Sequence, residues 1–212
     1  GGSTAVFWYY DEKAGEWTIT ASDASPADGE TGIADATDTI RVLRAGVDAV
    51  MSSMTASPGT VVADGVDAAT VEVRLKDAQG NSVSGLDASE FAIQVSGSAT
   101  AGEVTESGTA PGTYTFVVTN TVAEEVTVQV TVGDVQLASV ATIAFLPGPA
   151  KGATSTISVD AASVVVDGHS TATVTVRLRD GYNNNLTSGG DDVALATDLG
   201  ALSAATDHGD GT

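Results

Sequence analysis

This sequence has only two histidines, His169 and His208, and no cysteine. A Ser-His-Asp arrangement needs a histidine held rigidly between nucleophile and carboxylate. His208 instead sits in the turn-like run Asp207-His208-Gly209-Asp210. Without cysteine the common thiolate zinc sites are excluded. Carboxylates are plentiful. Asp23, Asp28, Glu30, Asp35 and Asp38 form one cluster, Asp191 and Asp192 a second, Asp207 and Asp210 a third. Calcium takes roughly six to eight oxygen ligands. Asp23, Asp28, Asp35, Asp207 and Asp210 are therefore the calcium candidates, although none has EF-hand spacing and solvated acidic loops are the simpler reading. Five of the ten aromatic residues (Phe7, Trp8, Tyr9, Tyr10 and Trp17) fall in one short stretch. Trp8, Tyr10 and Trp17 are candidates for stacking on sugar rings, against the plainer role of core and inter-domain packing. No catalytic residue, cofactor or firm metal ligand emerges, and no enzyme activity is expected.

The elements that must position these side chains come in copies. Asp64-Gly65, followed by Ala69-Thr70-Val71-Glu72-Val73-Arg74-Leu75-Lys76-Asp77, returns as Asp167-Gly168 and Ala172-Thr173-Val174-Thr175-Val176-Arg177-Leu178-Arg179-Asp180. The offset is 103 residues (64 to 167) and holds through Asn81 and Asn184. A fixed period of that size means tandem domains of one kind. His169 occupies the place of Val66, so the repeat does not require it.

Within each copy the apolar period is two. Val71, Val73 and Leu75 alternate with Glu72, Arg74 and Lys76, and Val126, Val128, Val130 and Val132 with Thr127, Gln129 and Thr131. This is the pattern of strands with one buried and one wet face. About seven such strands between turn signals predict an immunoglobulin-like sandwich. The fold class is all-β: tandem immunoglobulin-like β-sandwich domains. We expect residues 1–55 to be the tail of a separate β-domain, 56–148 a complete domain, and 149–212 the front part of another. In the first segment, Ala5–Tyr10 and Glu16–Thr20 read as a hairpin around Asp11–Gly15, with a further short strand over 39–44. Met51–Ser57, closed by Pro58-Gly59, reads as a polar linker, and Leu146-Pro147-Gly148-Pro149 as a second junction. Arg74, Lys76, Arg177 and Arg179 lie on an outward face, where cross-strand carboxylate partners are expected.

Gly1-Gly2-Ser3 and the halt at Gly211-Thr212 inside a repeated motif lead us to expect a window on a longer protein. The last two strands of the third segment would come from its own continuation or from a neighbouring molecule, for which the hairpin at 4–20 is a possible donor.

Charge narrows the partners. Twenty-eight acidic residues against eight basic ones give a net charge of −20. Such a surface repels phosphate backbones and anionic membranes, so neither nucleic acid nor membrane insertion is expected. No apolar run approaches the ~20 residues of a membrane span.

The Asp64-Gly65 turn with Ala69–Val73, the run Lys76-Asp77-Ala78-Gln79-Gly80-Asn81-Ser82-Val83, and Asp207–Thr212 before a sixth strand resemble the bacterial Ig-like domains of the invasin and intimin group. The resemblance covers about 56–212 and excludes the N-terminal 55 residues. It implies stacked domains that hold an adhesive tip away from a bacterial surface: an extracellular spacer segment of a cell-surface adhesin, whose partners are neighbouring domains of its own chain. Two alternatives stay open. One is a structural subunit of a surface layer, filament or virion, with identical subunits as partners. The other is an accessory carbohydrate-binding module of a secreted enzyme.

Overall fold

The computed structural model describes residues 6–21, 36–43 and 45–212. Its strands, in chain order, are β1 Gly15–Ala21, β2 Ala36–Val42, β3 Ser53–Ser57, β4 Thr60–Val62, β5 Ala69–Arg74, β6 Phe91–Val95, β7 Thr100–Ala101, β8 Thr105–Glu106, β9 Thr113–Thr119, β10 Glu125–Val132, β11 Val135–Gln136, β12 Ala141–Leu146, β13 Thr156–Val159 and β14 Val174–Arg177. A single 3₁₀ turn, Ala88–Glu90, is the helical content among the described residues.

Strands β3 to β12 build a two-layered sandwich. One sheet runs β3-β5-β9-β7, with β8 also on β9. The other runs β11-β10-β12-β4, with β6 also on β10. Pairing is antiparallel throughout except between β4 and β12. The valine alternation does what its period requires. Val71 and Val73 of one sheet and Val126, Val128 and Val130 of the other are fully buried in a single core, with Phe116, Ile143 and Phe145. Tyr114 is also buried. Its hydroxyl accepts the Leu86 N–H at 3.1 Å and donates to the Val83 carbonyl at 3.3 Å, which ties the loop after β5 to β9. Its ring packs tilted on Phe91, centroids 4.8 Å apart.

Two expectations need correction. Met51–Ser57 is not a linker: Ser53–Ser57 is a strand paired with β5, and Met54 is buried in the core. Its serines and threonine occupy the outward positions, and that polar half hid a strand with only two inward apolar residues. The N-terminal hairpin is also paired differently. Val6–Tyr10 is not a strand, and β1 pairs with β2 from Gly15↔Val42 to Ala21↔Ala36. Adjacency in sequence suggested the wrong partner, and β2 begins earlier than the short strand expected over 39–44. Cross-strand carboxylate pairing is not seen among the described residues. Arg74 pairs with Glu72 on its own strand at 2.7 Å, and Arg179 binds Asn183 and Asn185.

After β12 the pattern restarts. Ile157↔Val176 in β13–β14 repeats Met54↔Val73 in β3–β5. Leu178 N–H donates to Gly211 O at 2.8 Å, as Leu75 N–H does to Gly112 O. Gly112 has φ +77°, and a Cβ there would lie 3.1 Å from Val83 N, so the position needs glycine for both conformation and space. Gly211 holds the same place with φ +81°.

Phe116 is 3% exposed at the centre of the core. Phe116→Ala is expected to lower unfolding free energy by about 3–5 kcal/mol, read as a shift of the urea midpoint with unchanged slope.

Candidate functional site at the module junctions

The chemistry that this chain concentrates lies in the turn following β5 and in its copy following β14. Asp77 is fully buried, and among the described residues no cation pairs with it. Its Oδ1 accepts the N–H groups of Gln79 (3.0 Å) and Asn81 (2.8 Å), and its Oδ2 accepts Asn81 Nδ2 (2.9 Å) and the N–H of Ala45 (3.1 Å). Asp180, 1% exposed, repeats this bond for bond. Oδ1 accepts from Tyr182 and Asn184, both at 2.9 Å, and Oδ2 accepts from Asn184 Nδ2 (2.8 Å) and the N–H of Gly148 (2.9 Å). Burial acts most strongly on both carboxyls and pushes them up. The four hydrogen bonds, that from the asparagine amide first, outweigh it and hold each below the ordinary carboxylate range.

Each asparagine then reaches back to an earlier loop of the chain. Asn184 donates to the Thr121 carbonyl (3.0 Å) and accepts the Ala123 N–H (2.8 Å). Asn81 donates to the Glu12 carbonyl (3.0 Å) and accepts the Ala14 N–H (3.1 Å). One aspartate therefore grips the segment that enters its module and orients an asparagine, and the asparagine grips a loop that precedes that segment in the chain. The left-handed residue that closes the turn is Gly80 (φ +83°) in one copy and Asn183 (φ +72°) in the other, both residue types that tolerate it.

Those candidates named from sequence that are among the described residues are placed elsewhere. Asp23, Asp28, Glu30 and Asp35 lie outside the described residues. Asp38 is in β2, where its side chain accepts the Thr39 N–H. Asp207 accepts from Gly209 within its own turn and from Gly190 in an earlier loop, and Asp210 accepts from Thr212. Among the described residues no group of three or more acidic, histidine or cysteine side chains is placed to hold a metal ion. His169 meets Asp167 only through its backbone N–H, as Val66 meets Asp64. Trp8 is 97% exposed and Tyr10 81%. Trp17 is half-buried, with Lys13 Nζ 5.9 Å from its ring centroid. One cleft, about 550 Å³, is a shallow one between the outward face of β5 and the loop 107–113.

The Asp-Asn grip was missed in the sequence, where Asp77–Asn81 reads only as a turn. The available signal was that Asp and Asn persist across the 103-residue offset while Ala78, Gln79 and Gly80 become Gly181, Tyr182 and Asn183.

The repeated sandwich with this junction matches a known family: residues 48–148 and 151–212 each match Invasin, domain 3. The chain belongs to that family. Among solved structures, invasin, described as a bacterial integrin-binding protein, aligns with a TM-score of 0.63 at 22% identity, over 82% of this chain and 34% of that one. InvD of Yersinia pseudotuberculosis aligns with a TM-score of 0.55 at 29% identity, over 76% of this chain and 47% of that one. FdeC, an Escherichia coli adhesin, gives 0.54 at 24% identity, over 71% and 47%. This chain therefore spans between about a third and a half of those solved chains. The Invasin domain 3 match identifies an adhesin-type domain of the kind carried by bacterial surface proteins. No helix among the described residues is long and apolar enough to cross a membrane.

Both buried carboxyls titrate below their unfolded value, so the stability they contribute is present above about pH 3.9 and is lost as pH falls through the lower folded value. Thermal melts between pH 7 and pH 2.5 are expected to show this loss. Asp180→Asn, which turns an amide NH₂ toward N–H donors, is expected to cost about 2–3 kcal/mol at pH 7 and to flatten the acid limb.

Proposed function

We propose that this chain is a spacer segment of a bacterial cell-surface adhesin of the invasin/intimin type, stacking sandwich modules so that other domains are presented away from the cell. In this reading the chain is not an enzyme, and its partners are the adjoining modules of its own polypeptide. The observation that carries it is the junction at Asp180 and Asn184. A spacer transmits orientation only if its joints are stiff, and stiffness needs directional bonds across the joint. Three such bonds are present: Gly148 N–H to Asp180, Ala123 N–H to Asn184, and Asn184 Nδ2 to Thr121 O. The linker adds to this. Pro147 and Pro149 flank Gly148, restrict the backbone, and leave its N–H as the one the aspartate can take. Inter-domain contacts within a chain are otherwise mobile by default. The acidic surface suits the same role, since like-charged segments resist lateral association.

The test is small-angle scattering on the protein and on Asn184→Ala, with each module's fold checked by amide spectra. The parent is expected to give an extended particle fitted by one conformation. Asn184→Ala is expected to need an ensemble of bent conformations while both modules stay folded. A parent that already scatters as a flexible or collapsed ensemble contradicts the spacer reading.

A further inference from the structure

Residues 6–21 and 36–43 lie outside both stretches that match the family, yet they carry the same construction. At an offset of 109 residues (11 to 120), Asp11 takes the place of Asn120. Asp11 Oδ1 accepts the Lys13 N–H at 2.9 Å, and Asn120 Oδ1 accepts the Val122 N–H at 3.0 Å. The strands that follow keep step. Glu16↔Arg41, Trp17↔Ile40 and Thr18↔Thr39 in β1–β2 repeat Glu125↔Ala144, Val126↔Ile143 and Thr127↔Thr142 in β10–β12. β2 runs into Ile40-Arg41-Val42-Leu43 where β12 runs into Ile143-Ala144-Phe145-Leu146, at the offset of 103 (40 to 143) found for the modules themselves. Ala45 then meets Asp77 as Gly148 meets Asp180. Glu12 and Ala14 meet Asn81 as Thr121 and Ala123 meet Asn184.

We infer that these residues are the closing strand pair of a further module of the same kind, and that the Asp77–Asn81 turn is a docking seat whose partner is the loop of whichever copy precedes it. The apolar face of the pair agrees. Trp17, Ile19, Ile40 and Val42 hold the positions of Val126, Val128, Ile143 and Phe145, all four of which are core residues. Ile19 is 43% exposed where Val128 is fully buried. The occupant that geometry assigns to this face is a sheet of the β3-β5-β9 type, the layer that covers the same positions in the central sandwich. The seat reads no side chain of its partner. Each asparagine takes one carbonyl and, two residues on, one N–H, so Asp11-Glu12-Lys13-Ala14 and Asn120-Thr121-Val122-Ala123 fit equally well. A seat of this kind accepts successive copies whose loops differ in sequence, and it imposes the same relative placement on each. The inference stands independently of the spacer reading, since it names what docks and not what the assembly is for.

Amide hydrogen exchange followed by NMR on the whole chain tests it. The N–H groups of Ala14 and Ala123 are both expected to exchange more than about tenfold slower than in an unstructured peptide. Asn81→Ala is expected to release Ala14 and leave Ala123 protected, and Asn184→Ala to do the reverse, each variant carrying the other junction as its internal control of folding. The triple variant Asp11→Asn, Glu12→Thr, Lys13→Val writes the loop 120–123 into 11–14 and is expected to keep Ala14 protected. Free exchange at Ala14 in the parent, protection indifferent to Asn81→Ala, or loss of protection in the triple variant would overturn the inference.

Discussion

A carboxylate removed from water must be solvated by something else, and here it accepts its hydrogen bonds from the joint it organises. Asp77 and Asp180 each satisfy both oxygens with four N–H donors. Two come from the backbone of their own turn, one from an asparagine side chain, and one from the linker that enters the module. Hydrogen bonds to an ionised acceptor are stronger than neutral ones, and a buried donor left unmade costs more than a made one gains. The linker N–H therefore has one good partner, and so has the asparagine. With the asparagine fixed, its remaining donor and acceptor point at the preceding module. Local turn chemistry is converted in this way into a relation between modules.

The sandwich supports this arrangement from behind. The strand that leads into each aspartate's turn, β5 or β14, is a partner of the first strand of its module, and Ser52 closes the corner. Its hydroxyl accepts the Lys76 N–H and donates to Lys76 O, while Ser155 accepts from Arg179 in the same way. The main-chain bonds Asp48 N to Lys76 O and Lys151 N to Arg179 O complete the repeat. The linker is thus held on both sides of its short free stretch. Under the spacer reading, the valine core provides the stiffness of each segment and this corner provides the stiffness between segments.

Much of the fold was legible in the sequence because it rests on period-two burial, which a single strand displays by itself. Val71-Val73-Leu75 and Val126-Val128-Val130-Val132 declare their faces without help from elsewhere. Ser53–Ser57 did not, because Met54 and Ala56 are its whole inward face and serine-rich composition resembles a linker. The β1–β2 pairing was obscured because the neighbour in sequence, Val6–Tyr10, looks like a better strand than the true partner. The junction was the least legible feature. Asn81 and Asn184 find their partners 67 and 61 residues away, and those partners are backbone atoms, which leave no residue type to recognise. Only the persistence of Asp and Asn across the repeat pointed there.

Residual dipolar couplings on the unmodified chain test the central claim most directly. If the Asp-Asn corner fixes one module on the next, couplings from the β3–β12 sandwich and from residues 149–186 fit a single alignment tensor of common magnitude and orientation. Tensors of clearly different magnitude for the two sets would show that the joint swings freely, and would contradict the account.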